Sequence, residues 1–414
     1  MKAQRFFIIA LLMIVSLATL ILGCKYDVAE PQWDKPNGTT TAATISSVEP
    51  AQAAPGVNTI TIRGTNFTGA IDTSVVHNEY IDTTYTYNGV YFDNLQAEVI
   101  EYSSTSIKVR RPNLVTDFCT VKVVPSRASV VARFGPYKIS SVVERYGSFL
   151  DNVALSVVAV DNTENLYVVV TGSRSIYKVT PAGQKTLLGG VATRAPTDVR
   201  VGPDGRLYMT GNNRSIDVVD PSTGQVKTWT QLPSGRVVKF GDFDATGYFY
   251  TGGTRSQLVV VAPNLTATST GLYAADDILG VRVYNGYLYL AVKAAAGQTP
   301  SLAIWRHSIG ANGTLGAKQL VLNLDATEFA SRAIRAFSFS TSGILYIGTD
   351  SPNPILIVDP TTLNMDILYK GILAPYCKQF CWGKANYLYM ISGNTSPAQE
   401  WIVYRVDMGI TSGQ

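Results

Sequence analysis

From about residue 140 onward, apolar and polar residues alternate in short runs separated by clusters of Gly, Asn, Asp and Pro. One unit shows the pattern well. Val199 and Val201 alternate in a strand, Pro203-Asp204-Gly205 turns the chain, and Leu207-Tyr208 opens a second strand. A polar loop, Gly211-Asn212-Asn213-Arg214, leads to a third strand that runs from Ile216 to Val219 and stops at Asp220-Pro221. Period-two alternation bounded by turn residues predicts antiparallel strands joined by tight turns.

The unit repeats. Its aromatic pair recurs at Leu166-Tyr167, Leu207-Tyr208, Phe249-Tyr250, Leu288-Tyr289, Leu345-Tyr346 and Leu388-Tyr389. Successive tyrosines are 41, 42, 39, 57 and 43 residues apart. Six strand-rich copies at this spacing predict a six-bladed β-propeller of four-stranded blades. One blade cannot bury its apolar face alone, whereas a closed ring packs each sheet between two neighbours. The longest interval holds extra loops around Ala294–Pro300 and Gly310–Ala330. The Leu-Tyr pairs are read as packing between blades, with each hydroxyl meeting a local partner. The Gly-x-Leu-Tyr step resembles NHL-like six-bladed propellers, as do Gly172-Ser173-Arg174-Ser175-Ile176, Asn213-Arg214-Ser215-Ile216 and Thr254-Arg255-Ser256-Gln257. The propeller is expected over 140–414, its blades ending near Met408. Ile139–Phe149 is expected to supply the strand that closes the ring.

The start of the chain has a different character. Lys2 and Arg5 precede a continuous apolar run, Phe6 to Leu22, which ends at Ile21-Leu22-Gly23-Cys24. This ending resembles the bacterial lipobox, which implies that residues 1–24 are a lipoprotein signal peptide, cleaved before Cys24 with lipidation of its thiol. An ordinary signal peptide or a membrane helix is the competing reading, but the run is short for a span and stops at the Gly-Cys pair. Several acyl chains on one residue anchor a protein stably. Residues 25–43 contain Pro31, Pro36, Gly38 and Thr39-Thr40-Thr41-Ala42-Ala43 without periodicity. They read as a flexible tether spanning about 25 Å on average. Lys25-Tyr26-Asp27 with Glu30 loosely resembles the surface-export signal of Bacteroidetes lipoproteins.

Residues 44–139 carry Ile45-Ser46-Ser47-Val48-Glu49-Pro50, Ala54-Pro55-Gly56 and Ile60-Thr61-Ile62-Arg63-Gly64-Thr65-Asn66-Phe67. Val90-Tyr91-Phe92, Ala97-Glu98-Val99-Ile100 and Ser104 to Pro112 follow. These motifs resemble the IPT/TIG family of immunoglobulin-like domains. The resemblance implies a β-sandwich serving as a spacer or binding module rather than an enzyme, and an all-β chain overall. Ile60 and Ile62 alternate inward, Gly64 permits a sharp turn and Phe67 can plug the sandwich. The stretch Thr68–Asn88, with Tyr80, Tyr85 and Tyr87, departs from the family pattern. It reads either as an extended hairpin for contacts or as an elaborated loop packing on the propeller.

Composition changes the picture little. The chain has 414 residues, 46% hydrophobic and 15% charged, enough for two or three β-rich domains with real cores. A net charge of +4 without Lys/Arg clusters argues against nucleic acid as a partner. The two histidines are His77, in the first domain, and His307, on what reads as an outer strand. HExxH, Gly-x-Ser-x-Gly and Cys-His pairings are all missing from the sequence. Beyond Cys24 there remain Cys119, Cys377 and Cys381. On one extended strand Cys377 and Cys381 lie about 13 Å apart, so a bridge needs a turn between them. Buried free thiols are expected, with no metal and no cofactor.

The aligned blades place Arg200, Asp242, Arg282, Ser338 and Cys381 at one matching position on the innermost strands. Arg194, Arg236, Asp276, Arg332 and Tyr376 fall in the loops just before those strands. One channel mouth is therefore expected to be rich in arginine, and the candidate ligand-binding residues are Arg194, Arg236, Asp276, Asp277, Arg332, Tyr376 and Trp382. Arginine and carboxylates hydrogen-bond hydroxyls, and a flat aromatic ring stacks on a sugar face. Trp382 is also readable as core, and Trp229 and Trp305 as blade packing. Asp198, Asp242, Asp276 and Asp277 are candidates either for acid-base work on a sugar or for turn capping and arginine pairing.

An anchored Ig-like spacer carrying a propeller resembles Bacteroidetes surface lipoproteins encoded with nutrient-import systems. The resemblance implies an outer-membrane protein, lipid-anchored at the cell surface. It would capture polysaccharide or oligosaccharide for a transporter complex without catalysis. A protein-binding adhesin or scaffold is the alternative. A propeller-type glycan lyase or hydrolase is a further one, disfavoured by the shortage of histidine.

Overall fold

The computed structural model describes residues 42–67, 89–124, 130–151, 153–192, 195–393 and 401–413, and the backbone of 76–77 and 80–81. The expected signal peptide and most of the tether lie outside these residues, as do Tyr85 and Tyr87. Among the described residues no helix is long and apolar enough to cross a membrane.

The first domain is a β-sandwich of two four-stranded sheets. One sheet runs Thr44–Glu49, Thr59–Thr65, Ser106–Arg110, Val99–Tyr102; the other runs Ala132–Ile139, Thr116–Val124, Gly89–Phe92, Leu95–Gln96. Ile60 and Ile62 point inward and are fully buried, with Phe67 against the same core. Gly64 has a different role from the expected turn. It pairs with Ile45 within a ladder, one residue from its end, and a Cβ there would meet the Thr44 carbonyl oxygen at 1.9 Å. Close backbone approach, not turn geometry, demands the glycine.

Six four-stranded sheets follow, and their innermost strands contact one another all round the ring. Blades 1 to 5 begin with Leu155–Val160, Asp198–Val201, Phe240–Phe243, Asp277–Tyr284 and Ile334–Phe339. Blade 6 is composite. Its strands Cys377–Trp382, Tyr387–Gly393 and Trp401–Asp407 are completed on the outside by Val143–Arg145. Val143 pairs with Val406, Glu144 with Arg405 and Arg145 with Tyr404. The protein is thus an Ig-like β-sandwich followed by a six-bladed β-propeller.

The second strand of each blade is buried on both faces, as in Leu166–Val170 and Leu345–Thr349. A sheet covered on both sides reads as a continuous apolar run. Exposure rises toward the rim, where Lys185–Gly190 is largely exposed. The Leu-Tyr tyrosines anchor the turn before them. Tyr167 Oη donates to Asp161 (2.9 Å), Tyr208 to Asp204 (3.0 Å) and Tyr250 to Asp244 (2.9 Å). Tyr389 reaches Glu164 across the ring closure (3.3 Å). Tyr346 instead packs edge-on against Trp382, centroids 5.0 Å apart.

The sandwich docks on blades 5 and 6. Tyr369 is the hub: its hydroxyl accepts from Gly56 N (2.7 Å) and donates to Asp407 O (2.8 Å). Its backbone amide donates to Asn58 Oδ1 at 2.7 Å. Asn58 Nδ2 donates to Asp366 and to Ile367 O, and Arg110 pairs with Asp366 at 2.6 Å. Deleting one buried hydroxyl that serves two backbone groups leaves both unsatisfied, a loss of about 1–3 kcal/mol. Tyr369→Phe is expected to lower stability by that amount in urea unfolding. An unchanged midpoint would show that the hydroxyl does not hold the two domains together.

Candidate binding site

The strand register brings one residue from every blade to the axis. The six partners of the Leu-Tyr tyrosines are Ala159, Arg200, Asp242, Arg282, Ser338 and Cys381. All six line a single cavity of about 440 Å³ at the C-terminal ends of the innermost strands. The volume lies in the range of small-ligand sites. Trp382 and Lys384 complete the wall.

Period-two alternation puts a second layer of polar groups below the first. Asp198, two residues before Arg200, is 1% exposed, and Gln379, two before Cys381, is 5% exposed. Gln379 Nε2 donates to Asp198 Oδ1 (2.8 Å), while its Oε1 accepts from Val158 N (2.8 Å). One side chain thereby ties blades 6, 2 and 1 together. Arg200 Nη2 lies 3.2 Å from Asp198 Oδ1, and Arg282 Nη1 lies 3.9 Å from its Oδ2. Arg282 Nη1 also donates to Val281 O (2.6 Å), and its guanidinium sits 5.6 Å from the centre of the Phe337 ring. Asp242 accepts from Val283 N (2.8 Å) and Phe243 N (3.0 Å).

Not every donor is used. Arg282 Nε and Trp382 Nε1 are buried without a hydrogen-bond partner. Arg200 Nη2 is likewise unpartnered, because its approach to Asp198 is an ion pair without hydrogen-bond alignment.

The sequence-derived candidates divide between the two ends of the ring. Trp382 lines the cavity; Arg194 and Cys24 lie outside the described residues. The others sit at the opposite ends of the innermost strands and are engaged there by the protein itself. Arg236 Nε donates to Ser269 Oγ on the rim of blade 3 (3.2 Å). Asp276 accepts from Ala295 N (2.9 Å) and Asp277 from Arg255 N (3.2 Å). Arg332 donates to Asn353 O (2.9 Å) and covers the Phe329 ring at 4.6 Å. Tyr376 adopts φ 61°, its amide held by Ser351 O (3.0 Å).

The remaining reactive side chains are also accounted for. His307 is buried between the Tyr273 hydroxyl and Gly316 O, both at 2.8 Å, and burial holds its imidazole below the usual range. Cys119, Cys377 and Cys381 are buried free thiols, and burial pushes each one up. Among the described residues no group of three or more His, Cys, Asp and Glu is arranged to hold a metal.

Residues 43–140 match the IPT/TIG domain family. No curated protein sequence matches the chain. Among solved structures it is similar in fold to a luciferin-regenerating enzyme, with TM-score 0.51 and 15% identity over 65% of this chain and 96% of that one. An auxiliary nutrient binding protein of Bacteroides thetaiotaomicron aligns with TM-score 0.49 and 10% identity, over 92% of this chain and 99% of that one. A Bacteroides thetaiotaomicron protein of unknown function aligns with TM-score 0.49 and 13% identity, over 89% and 99%.

Burial pushes the Asp242 carboxyl up to about 6, against the pull of Arg200 and of the Val283 amide. Burial raises Asp198 as well, opposed first by Arg200. A carboxyl raised above its unfolded value near 3.9 contributes stability that is complete at lower pH and is lost as pH rises through the folded value. Asp242→Asn removes that dependence. The stability difference between wild type and Asp242→Asn is therefore expected to move against wild type by about 2 kcal/mol between pH 4 and pH 7. Parallel unfolding curves at each pH measure it, and a constant difference would mean that Asp242 is not held in this environment.

Proposed function

We propose that the chain is a lipid-anchored cell-surface protein that captures a glycan in the axial cavity, without turnover, for an outer-membrane import system. The observation that carries this reading is the cavity itself. Six blades converge on it with fixed arginines, an oriented carboxylate and an indole N–H, the set of groups that reads sugar hydroxyls. Its concave shape suits a small ligand or a chain end better than a flat protein surface. The lipobox-like ending at Cys24 and the tether after it supply the anchor and the reach.

A second reading has one observation in its favour. A carboxyl near 6, such as Asp242, is suited to general acid-base work at neutral pH. Both Asp242 oxygens, however, face backbone amides. Capture by a tethered protein needs only modest affinity, because ligands with many repeats rebind by mass action.

The test begins with a glycan array and the soluble fragment from Lys25. Calorimetry on the ligands found there then compares two sets of variants. Arg200→Gln and Trp382→Ala are expected to weaken binding about tenfold, the value of one charge-assisted hydrogen bond. Arg236→Ala and Tyr376→Ala, at the other mouth, are expected to leave it within twofold. The reverse pattern would move the site to the arginine-bearing mouth, and an empty array would replace the glycan with a protein partner. Sugar fragments that accumulate in wild type but not in Asp242→Asn would make the protein an enzyme.

The anchor is tested separately. Cys24→Ser is expected to abolish incorporation of labelled fatty acid and to release the protein from the membrane fraction. Retained label would place the lipid elsewhere.

A further inference from the structure

The axial cavity has more donors than acceptors. Arg282 has a side chain only 4% exposed, yet its Nε has no partner, and Arg200 Nη2 is in the same state. The carboxylates around them have little acceptor capacity left for a ligand. Asp161 already accepts from Thr163, Asn165 and Tyr167, and Asp244 from Thr246, Tyr248 and Tyr250. Asp242 is held by two amides, and Asp198 by Gln379 and Gly241 N beneath the arginines. Lys384 adds a further cation at the exposed rim. A buried donor without an acceptor is unfavourable, so a ligand that supplies acceptors removes that cost.

We propose that the captured glycan carries a carboxylate, and that Arg282 and Arg200 receive it: the ligand is a uronic-acid-containing oligosaccharide. The inference rests on the capture reading above and narrows it. The planar guanidinium fork matches a carboxylate edge, and the ion pairs of these two arginines with Asp198, at 3.2 and 3.9 Å, leave Arg200 Nη2 and Arg282 Nε without a hydrogen bond.

The same cluster sets a pH dependence. Every blade contributes to what faces Asp242: Ala159 with Asp161, Arg200 with Asp198, Asp242 itself with Asp244, Arg282, Ser338 and Cys381, with Lys384 at the rim. When Asp242 takes up a proton near pH 6, the cluster becomes more positive by one charge. A sugar carboxylate stays ionised above about pH 4. Acidic ligands therefore bind more tightly at pH 5 than at pH 7.5, and neutral ones do not.

The experiment uses trisaccharides of galacturonate and glucuronate, each beside its methyl ester, which keeps the ring and removes the charge. A neutral and a sulfated trisaccharide complete the set, with calorimetry at pH 5 and 7.5 on the fragment from Lys25. The expected result is that at least one acid binds about tenfold tighter than its ester, more so at pH 5. Arg282→Gln erases the gap, and Arg282→Lys, which keeps the charge and guards against a folding artefact, retains part of it. Equal binding of acid and ester overturns the carboxylate assignment but leaves glycan capture standing. So does binding confined to the neutral or the sulfated sugar. Failure of every glycan, here and on the array, overturns the capture reading and this inference with it.

Discussion

The pairing of Val143–Arg145 with Trp401–Asp407 is the contact on which the rest of the structure depends. It makes the last blade from both ends of the propeller sequence, so the ring cannot open without breaking a ladder. The Glu144–Arg405 ion pair sits on that seam, at 2.6 Å. Arg405 also covers the Tyr146 and Tyr387 rings at 4.6 Å each. The strand that closes the ring begins four residues after the last strand of the sandwich, Ala132–Ile139. Ring closure and domain docking are therefore linked by a short stretch of chain. With so short a connection the sandwich has few places to sit, and it sits where Tyr369, Asn58 and Arg110 lock it to blades 5 and 6.

A closed ring also makes equivalent positions converge, and this is why the channel was partly legible in the sequence. Aligning the Leu-Tyr pairs is enough to place Arg200, Asp242, Arg282, Ser338 and Cys381 together, because antiparallel register fixes which inner residue faces each tyrosine. The same logic carried two residues further back finds Asp198 and Gln379, which share a face with Arg200 and Cys381 at period two. The partners of the loop side chains were not legible. Polar loops flank both ends of every innermost strand, and the groups left free for a ligand depend on where those side chains find partners. Arg332 finds Asn353 O, 21 residues away, and Arg236 finds Ser269, 33 residues away. Such pairings are set by tertiary packing and leave no local pattern.

The first domain shows the same division. The alternation of Ile60 and Ile62 identifies a core face, and the structure buries both completely. Gly64 looks identical in sequence whether it serves a turn or a close backbone crossing. Only the position of Thr44, twenty residues away, distinguishes them. The tyrosines of the Leu-Tyr pairs lie between these cases. Their burial follows from the repeat. Their hydroxyl partners follow from turn chemistry, since Asp161, Asp204 and Asp244 each open the turn that precedes its tyrosine.

A chain selected for stability alone would not keep four charges at its axis. Desolvating an ion pair costs more than the attraction returns unless the remaining donors and acceptors are satisfied. Here they are satisfied unevenly. The carboxylates have partners on both oxygens, and burial still raises Asp198 and Asp242, so their ionised forms are less favourable than in water. Arg282 Nε and Arg200 Nη2 are buried without a hydrogen bond, the latter in an ion pair with Asp198. Buried apolar residues lie among them: the Phe337 ring is 5.6 Å from the Arg282 guanidinium, and Phe380 lines the cavity. An axis filled throughout with such residues would avoid the cost. A cavity opens beside the polar cluster, and the atoms in it without a hydrogen bond are all donors. A structural role would be served by balanced pairs. An excess of oriented donors beside an open volume is the arrangement that a ligand rich in acceptors completes.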